Sequence, residues 1–313
     1  MKTMRVVLAA LSCVLAGQPG SAAAETPLAR TVAEARPLAI APHASPPRWI
    51  AWDGIQRGLA FYERHRKPIG GVLATSSLVA TYAAVDIAPV LMRTGRLARD
   101  YDKRIDETGE WIDAMLKPQS NLDFLAENYQ RAFDLGKLHA SIAASMSAKD
   151  LGWRAAERVP VNQQAYALVL YSFAWQPLES MAAMRGLDVA TDSADVDGWC
   201  HLWSVLGYAM GEEEDLLPRS YSRAAEIIPL LRSRQYAQKA ADVPPGVPVL
   251  LRGELRMLMA PRAGAPPTPA DVLQRRSAEM LANAISLSPG LQQALGLSDQ
   301  PVDDLLKLVR PSP

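Results

Sequence analysis

The stretch VPVNQQAYALVLYSFAWQPLESMAAMRG, residues 159–186, decides the fold class. Its apolar residues do not keep to one face, and at this length it is too long for a strand. A helix that is apolar almost all round has neighbours on every side, so this one is expected at the centre of the molecule. Its ends are marked. Asn162, after Pro160, is a candidate N-cap, and Gly186 a candidate left-handed residue past the last turn. Pro177 is expected to kink it.

Working outward, the neighbours also read as helices. DSADVDGWCHLWSVLGYAMG, residues 192–211, has Asp192 or Ser193 as cap and Gly211 as stop. Helices are expected near 52–66, 103–117, 123–147, 219–240, 247–259, 269–286 and 301–310. The apolar run IGGVLATSSLVATYAAVDIAPVLM, 69–92, holds about 17 uncharged residues before Asp86, short of a membrane span. It reads as a buried helix broken near Pro89. Alternating strand patterns are nearly absent, so the class is all-α.

The chain has 313 residues and nearly half are apolar, enough for one helical domain over 49–313. Its 33 basic and 33 acidic residues cancel, which removes the electrostatic footprint of a nucleic-acid binder. Residues 1–24 read as a secretory signal. Lys2 and Arg5 precede the apolar VVLAALSCVLAG, and GSAAAE offers cleavage after Ala24. A lipoprotein reading would use Cys13. Export to the periplasm or beyond is the expectation, with no integral membrane span once the leader is removed. Cleavage leaves Cys200 alone, so no internal disulfide forms. Residues 25–48, rich in Ala, Pro and Arg, read as an exposed, flexible lead-in.

The chemistry-bearing residues are few. In LGKLHASIAASM, 135–146, the residues Leu135, His139, Ile142 and Met146 form one helical stripe, so the imidazole faces the core. Two readings stay open. His139 is a core histidine satisfied by hydrogen bonds, or it is the axial ligand of a haem iron, which needs only one proximal imidazole. Zinc needs three or four ligands, and the chain's four histidines show no HxxxH or CxxC spacing. Paired ExxH motifs for a di-iron bundle are absent too. His201, beside Trp203, is the rival buried histidine. The acidic groups Asp195/Asp197 and Glu212/Glu213/Glu214 read as cap chemistry or solvated turns. There is no GxSxG elbow, phosphate loop or dinucleotide fingerprint. The tryptophans read as core.

Five pieces in order, TYAAVDIAPVLMRTGRL, DKRIDETGEWI, GKLHASI, the 160–186 helix and WCHLWSVLGYAMGEEEDLLP, resemble the latex-clearing-protein/MpaB-type oxygenase superfamily. The resemblance covers about residues 48–225. It implies an all-α fold enclosing a haem pocket, globin-like in character, with one haem b and dioxygen as co-substrate. Some members are secreted and cleave polyisoprene. It implies His139 as iron ligand, Arg104 against a haem propionate and Thr108 as a distal hydroxyl. It also implies Asp86 as a distal base, whose burial should raise its pKa. The family's Arg-x-x-Lys-Thr segment here carries Glu107 in place of lysine, which puts polyisoprene cleavage in question while leaving haem binding intact. The expected substrate is a hydrophobic small molecule or polymer, alkene-bearing or isoprenoid in the family's manner. A haem-binding sensor or carrier, and a cofactor-free helical binding protein, are the competing expectations.

Overall fold

The computed structural model describes residues 26–95, 101–148, 159–183, 187–189, 192–247, 250–251, 278–279, 282, 285, 288–298 and 300–309. Residues 1–25, where the secretory signal is expected, Gly186 and most of the helices expected at 247–259 and 269–286 lie outside them. Among the described residues there is no strand, only two isolated bridges, Ala39 with Asn162 and Ala84 with Tyr236. The all-α expectation holds.

The helices in chain order are α1 (Pro27–Glu34), α2 (Trp52–Val72), α3 (Leu78–Tyr82), α4 (Ala88–Thr94), α5 (Tyr101–Leu116), α6 (Gln130–Ala148), α7 (Gln163–Ala183), α8 (Ser193–Met210), α9 (Tyr221–Gln235), α10 (Pro289–Ala294) and α11 (Pro301–Val309). Helix α7 is the 159–186 stretch, and its two sides explain its all-round apolarity. Ala165, Leu168, Tyr171 and Trp175 enter one half of the core, with α3, α4 and α9. Tyr166, Leu170, Ala174, Leu178 and Met181 enter the other half, with α2 and α8. The wall between two half-cores has no solvent face to make polar. Asn162 caps it as expected, its Oδ1 accepting from the Ala165 N–H at 2.8 Å. Gly211 ends α8 in the left-handed region at φ 102°.

Prolines behave less simply than the sequence suggests. Helix α7 stays helical through Pro177 to Ala183. The expected helix at 52–66 does not end. It bends at His65 (φ −112°, ψ 16°), three residues before Pro68, runs on to Val72 and passes through a π-helical turn, Leu73–Ser77, into α3. A proline crowds the carbonyl one turn earlier, which is where the bend falls. The break in the 69–92 run precedes Pro89 and spans 83–87. Pro89 then sits in the first turn of α4, where a missing N–H leaves no bond unmade.

The lead-in is not a loose segment. Helix α1 is capped by Thr26, buries Val32 in the core and is followed by buried Ala35 and Ile40. Its carbonyls and side chains find distant partners: Gln164 Nε2 donates to the Val32 carbonyl at 2.9 Å. One buried valine every few residues is too weak a pattern to register against the surrounding Ala, Pro and Arg.

Helices α2 and α8 touch backbone to backbone. A Cβ on Gly58 would stand 2.6 Å from the Gly198 carbonyl oxygen, and one on Gly198 would stand 2.6 Å from Arg57 Cβ. Gly198→Val should therefore lower the unfolding free energy by about 1–3 kcal/mol, the usual cost of overpacking, read by urea denaturation. An unchanged midpoint would mean the crossing has slack that these distances deny. No described helix is long and apolar enough to cross a membrane.

Candidate active site

The helices surround a cavity of about 340 Å³. Thr81, Asp86 and Val90 enter it from α3, the break and α4. Glu107, Thr108 and Trp111 come from α5, Leu135 and His139 from α6. Helix α7 supplies Tyr166 and Phe173, and α8 with its exit turn supplies Trp203 and Glu212. Most of the wall is apolar. Among the described residues no three His, Cys, Asp or Glu side chains cluster to hold a metal ion.

Three of the residues singled out in the sequence, Asp86, Thr108 and His139, thus share one cavity. So does Glu107. Arg104 lies on α5, one turn from Thr108, and its side chain is outside the described residues.

His139 is half-buried on the cavity wall. Its Nδ1 lies 2.8 Å from the Tyr166 hydroxyl, which donates or accepts according to the imidazole tautomer. The rings meet edge to face at 5.4 Å. Burial, and then the nearby Glu212 carboxyl, push the Tyr166 hydroxyl up, so it stays protonated. Tyr166→Phe should cost about 1 kcal/mol, the net worth of one such hydrogen bond, by denaturant unfolding. A neutral substitution would mean the ring is held by packing alone.

His201 is the satisfied core histidine. Its Nε2 accepts from the Ala51 N–H at 2.9 Å, just before α2 begins. Trp49 meets its edge at 5.6 Å, and its Cδ2 fills the space that a side chain on Gly54 would need. Burial holds its pKa below the usual value, so it stays neutral and can accept that bond. It does not line the cavity. Cys200 is buried, and burial pushes its thiol up, so it is no nucleophile.

Asp86 departs from expectation. Burial does push its carboxyl up, but Arg36, Gln235 and Asn162 outweigh it, and the pKa lies below the ordinary value. Arg36 grips it with two bonds, Nε at 2.9 Å and Nη2 at 2.8 Å. Gln235 Nε2 adds a third at 2.9 Å and Asn162 Nδ2 a fourth at 3.2 Å. An ionised, fourfold-bonded carboxylate is a weak base. The sequence could not show this, because Arg36 lies in the segment read as a lead-in.

Glu212 is the residue that sequence reasoning placed wrongly. The sequence groups it with Glu213 and Glu214 as cap chemistry or a solvated turn, yet it is fully buried at 0% exposure. Gln163 fixes the turn around it, donating to the Gly211 carbonyl at 2.7 Å and accepting from the Glu213 N–H at 3.0 Å. The left-handed Gly211 turns the chain back, so the next side chain points inward. Neither carboxyl oxygen of Glu212 has a hydrogen-bond partner among the described residues, nor has the Trp203 indole N–H.

A helical wall around an apolar cavity with one half-buried, hydrogen-bonded histidine has the form of an enzyme site for a hydrophobic ligand. The comparisons narrow this class to an oxygenase. The chain belongs to the family described as ER-bound oxygenase mpaB/B′/rubber oxygenase, catalytic domain, whose family model matches residues 64–310. Among solved structures it is similar to latex clearing protein LCP in the closed state, at a TM-score of 0.60 and 18% identity, covering 86% of this chain and 71% of that one. At that identity the likeness speaks for the fold. No curated protein matches the sequence.

Proposed function

We propose that this oxygenase is a haem-b enzyme, exported to the periplasm or secreted, acting on a hydrophobic, alkene-bearing or isoprenoid substrate. The observation that carries the reading is His139 on the wall of the apolar cavity, with Nδ1 tied to Tyr166. An iron-ligating imidazole is oriented by a hydrogen bond at its other nitrogen, and Tyr166 supplies that bond, so Nε2 would be the ligating atom. The donor set suits this group. One imidazole suffices for haem iron, whereas zinc or a di-iron centre needs a cluster that the described residues lack.

When bound, haem b supplies dioxygen activation. The chain supplies the rest. Tyr166 holds the imidazole in one orientation. Arg104, one turn from Thr108 on α5, would pair with a propionate. Thr108 offers a hydroxyl to the cavity. Val90, Trp111, Leu135 and Phe173 exclude water and favour an apolar substrate. Asp86 adds a fixed negative charge at one end of the wall. Glu107 stands where the latex-clearing branch has lysine, so a small alkene or isoprenoid is favoured over rubber itself. Export rests on residues 1–24.

The test is an absorption spectrum of the mature protein expressed with ample haem supply. A Soret band, with oxygen uptake on adding an alkene, is expected. A colourless protein that cannot be reconstituted overturns the reading. A six-coordinate iron inert to ligand exchange would instead favour a haem carrier or sensor.

A further inference from the structure

Within this apolar cavity, two polar groups lack partners among the described residues. Glu212 is fully buried, lines the same wall as His139, and has no hydrogen-bond partner at either carboxyl oxygen among the described residues. Trp203 lines the cavity too, 1% exposed, with its indole N–H unpartnered. Neither can swing away to find one. Gln163 clamps the backbone on both sides of Glu212, and Trp203 is stacked on Phe173 at 5.3 Å between ring centres. A buried polar group left unpaired costs about 1–3 kcal/mol. Native folds keep such groups where a bound molecule or water completes them.

The geometry points to Glu212 and Trp203 as the recognition point for a neutral oxygen function, a hydroxyl or carbonyl, carried by an otherwise hydrocarbon ligand. This rests on the oxygenase reading of the cavity and narrows its substrate class: an alkenol or oxygen-bearing isoprenoid, not a bare hydrocarbon. Burial first, and then the Glu213 charge, push Glu212 well above the usual carboxyl range, so it is a neutral acid. A neutral acid offers one O–H donor and one carbonyl acceptor, and Trp203 adds a second donor. A ligand hydroxyl can answer both groups of the acid, donating to its carbonyl and accepting from its O–H, while the Trp203 N–H offers a further donor on the same cavity lining. An ammonium group would need the ionised carboxylate, which burial opposes. A hydrocarbon leaves both groups unpaired, and sites with buried polar groups reject such ligands strongly.

The test is calorimetric titration of the full chain with a matched pair, 9-decen-1-ol and 1-decene. The alcohol should bind about tenfold or more tightly, the equivalent of one unpaired group relieved. Glu212→Gln, which keeps a donor and an acceptor, should retain the preference. Glu212→Leu should erase it and be at least as stable as the parent, since it removes an unpaired carboxyl. Trp203→Phe, which deletes only the N–H side of the pair, should reduce it. Equal binding of the two ligands by the parent chain, or a preference that survives in Glu212→Leu, overturns the assignment. So does decylamine binding most tightly of all and being lost in Glu212→Gln. The titration does not read iron. A colourless protein that still prefers the alcohol would sink the haem reading alone, and a Soret-bearing one with no preference would sink this inference alone.

Discussion

On the proposed haem-b site, His139→Ala is expected to strip the protein of haem. The Soret absorbance per mole of chain should fall by more than about tenfold, since even outer partners of a ligating histidine change metal affinity by that much. The variant should stay folded. His139 sits on a cavity wall and is half-buried, so its loss enlarges an existing space and costs the α7 core only the Tyr166 hydrogen bond, about 1 kcal/mol. Helical circular dichroism and the unfolding midpoint give that control. Added imidazole should restore part of the band, because it can occupy the space the side chain vacates. A full Soret band in the variant would mean that another group holds the iron. His201 is a poor substitute, being committed to the Ala51 N–H.

Asp86→Ala should cost about 3 kcal/mol of unfolding free energy, the lower end for breaking a buried ion pair. The lower end applies because Arg36 is 37% exposed and can turn to water, while Asp86 is 1% exposed. The loss reaches further than one pair. The Asp86 carboxylate joins the break after α3 to α1 through Arg36, to the start of α7 through Asn162 and to the end of α9 through Gln235. Asp86→Asn should lose less, since it keeps shape and part of the bonding. The same pair sets a pH dependence. The folded carboxyl titrates below its ordinary value, so its stabilisation is complete above about pH 4 and drains away as pH falls through the folded pKa. Denaturation midpoints of parent and Asp86→Asn, measured from pH 6 downward, should converge in acid. Parallel curves would show that the ionised form contributes nothing.

Much of the architecture was legible because α7 leaves little choice. A helix with no polar face must be surrounded, and Asn162 and Gly211 mark boundaries by local backbone chemistry that tertiary context did not override. His139 was legible by its stripe. The failures share another cause: each depended on a partner far away in sequence. Arg36 could not be seen to neutralise Asp86 from 50 residues off. Tyr166 could not be seen to meet His139, nor could Gln163 be seen to turn Glu212 inward. A run of three glutamates after a glycine looks solvated. Only the αL turn at Gly211 and the clamp from α7 make the first of them different.

The docking of α1 has a consequence for the order of events in folding. The Val32 carbonyl takes its bond from Gln164, 132 residues later, Trp49 meets Glu214 across 165, and Asp86 meets Gln235 across 149. Early segments are completed by residues far later in the chain. Contacts so distant close slowly, because the chain entropy of large loops is lost before they form. A nascent chain stopped near residue 150 would hold α2, α6 and Asp86, the partner of Arg36, but not Gln164, which donates to the Val32 carbonyl. On the export proposed from residues 1–24, that lag would keep the polypeptide threadable through a translocation pore until Gln164, Glu214 and Gln235 have followed.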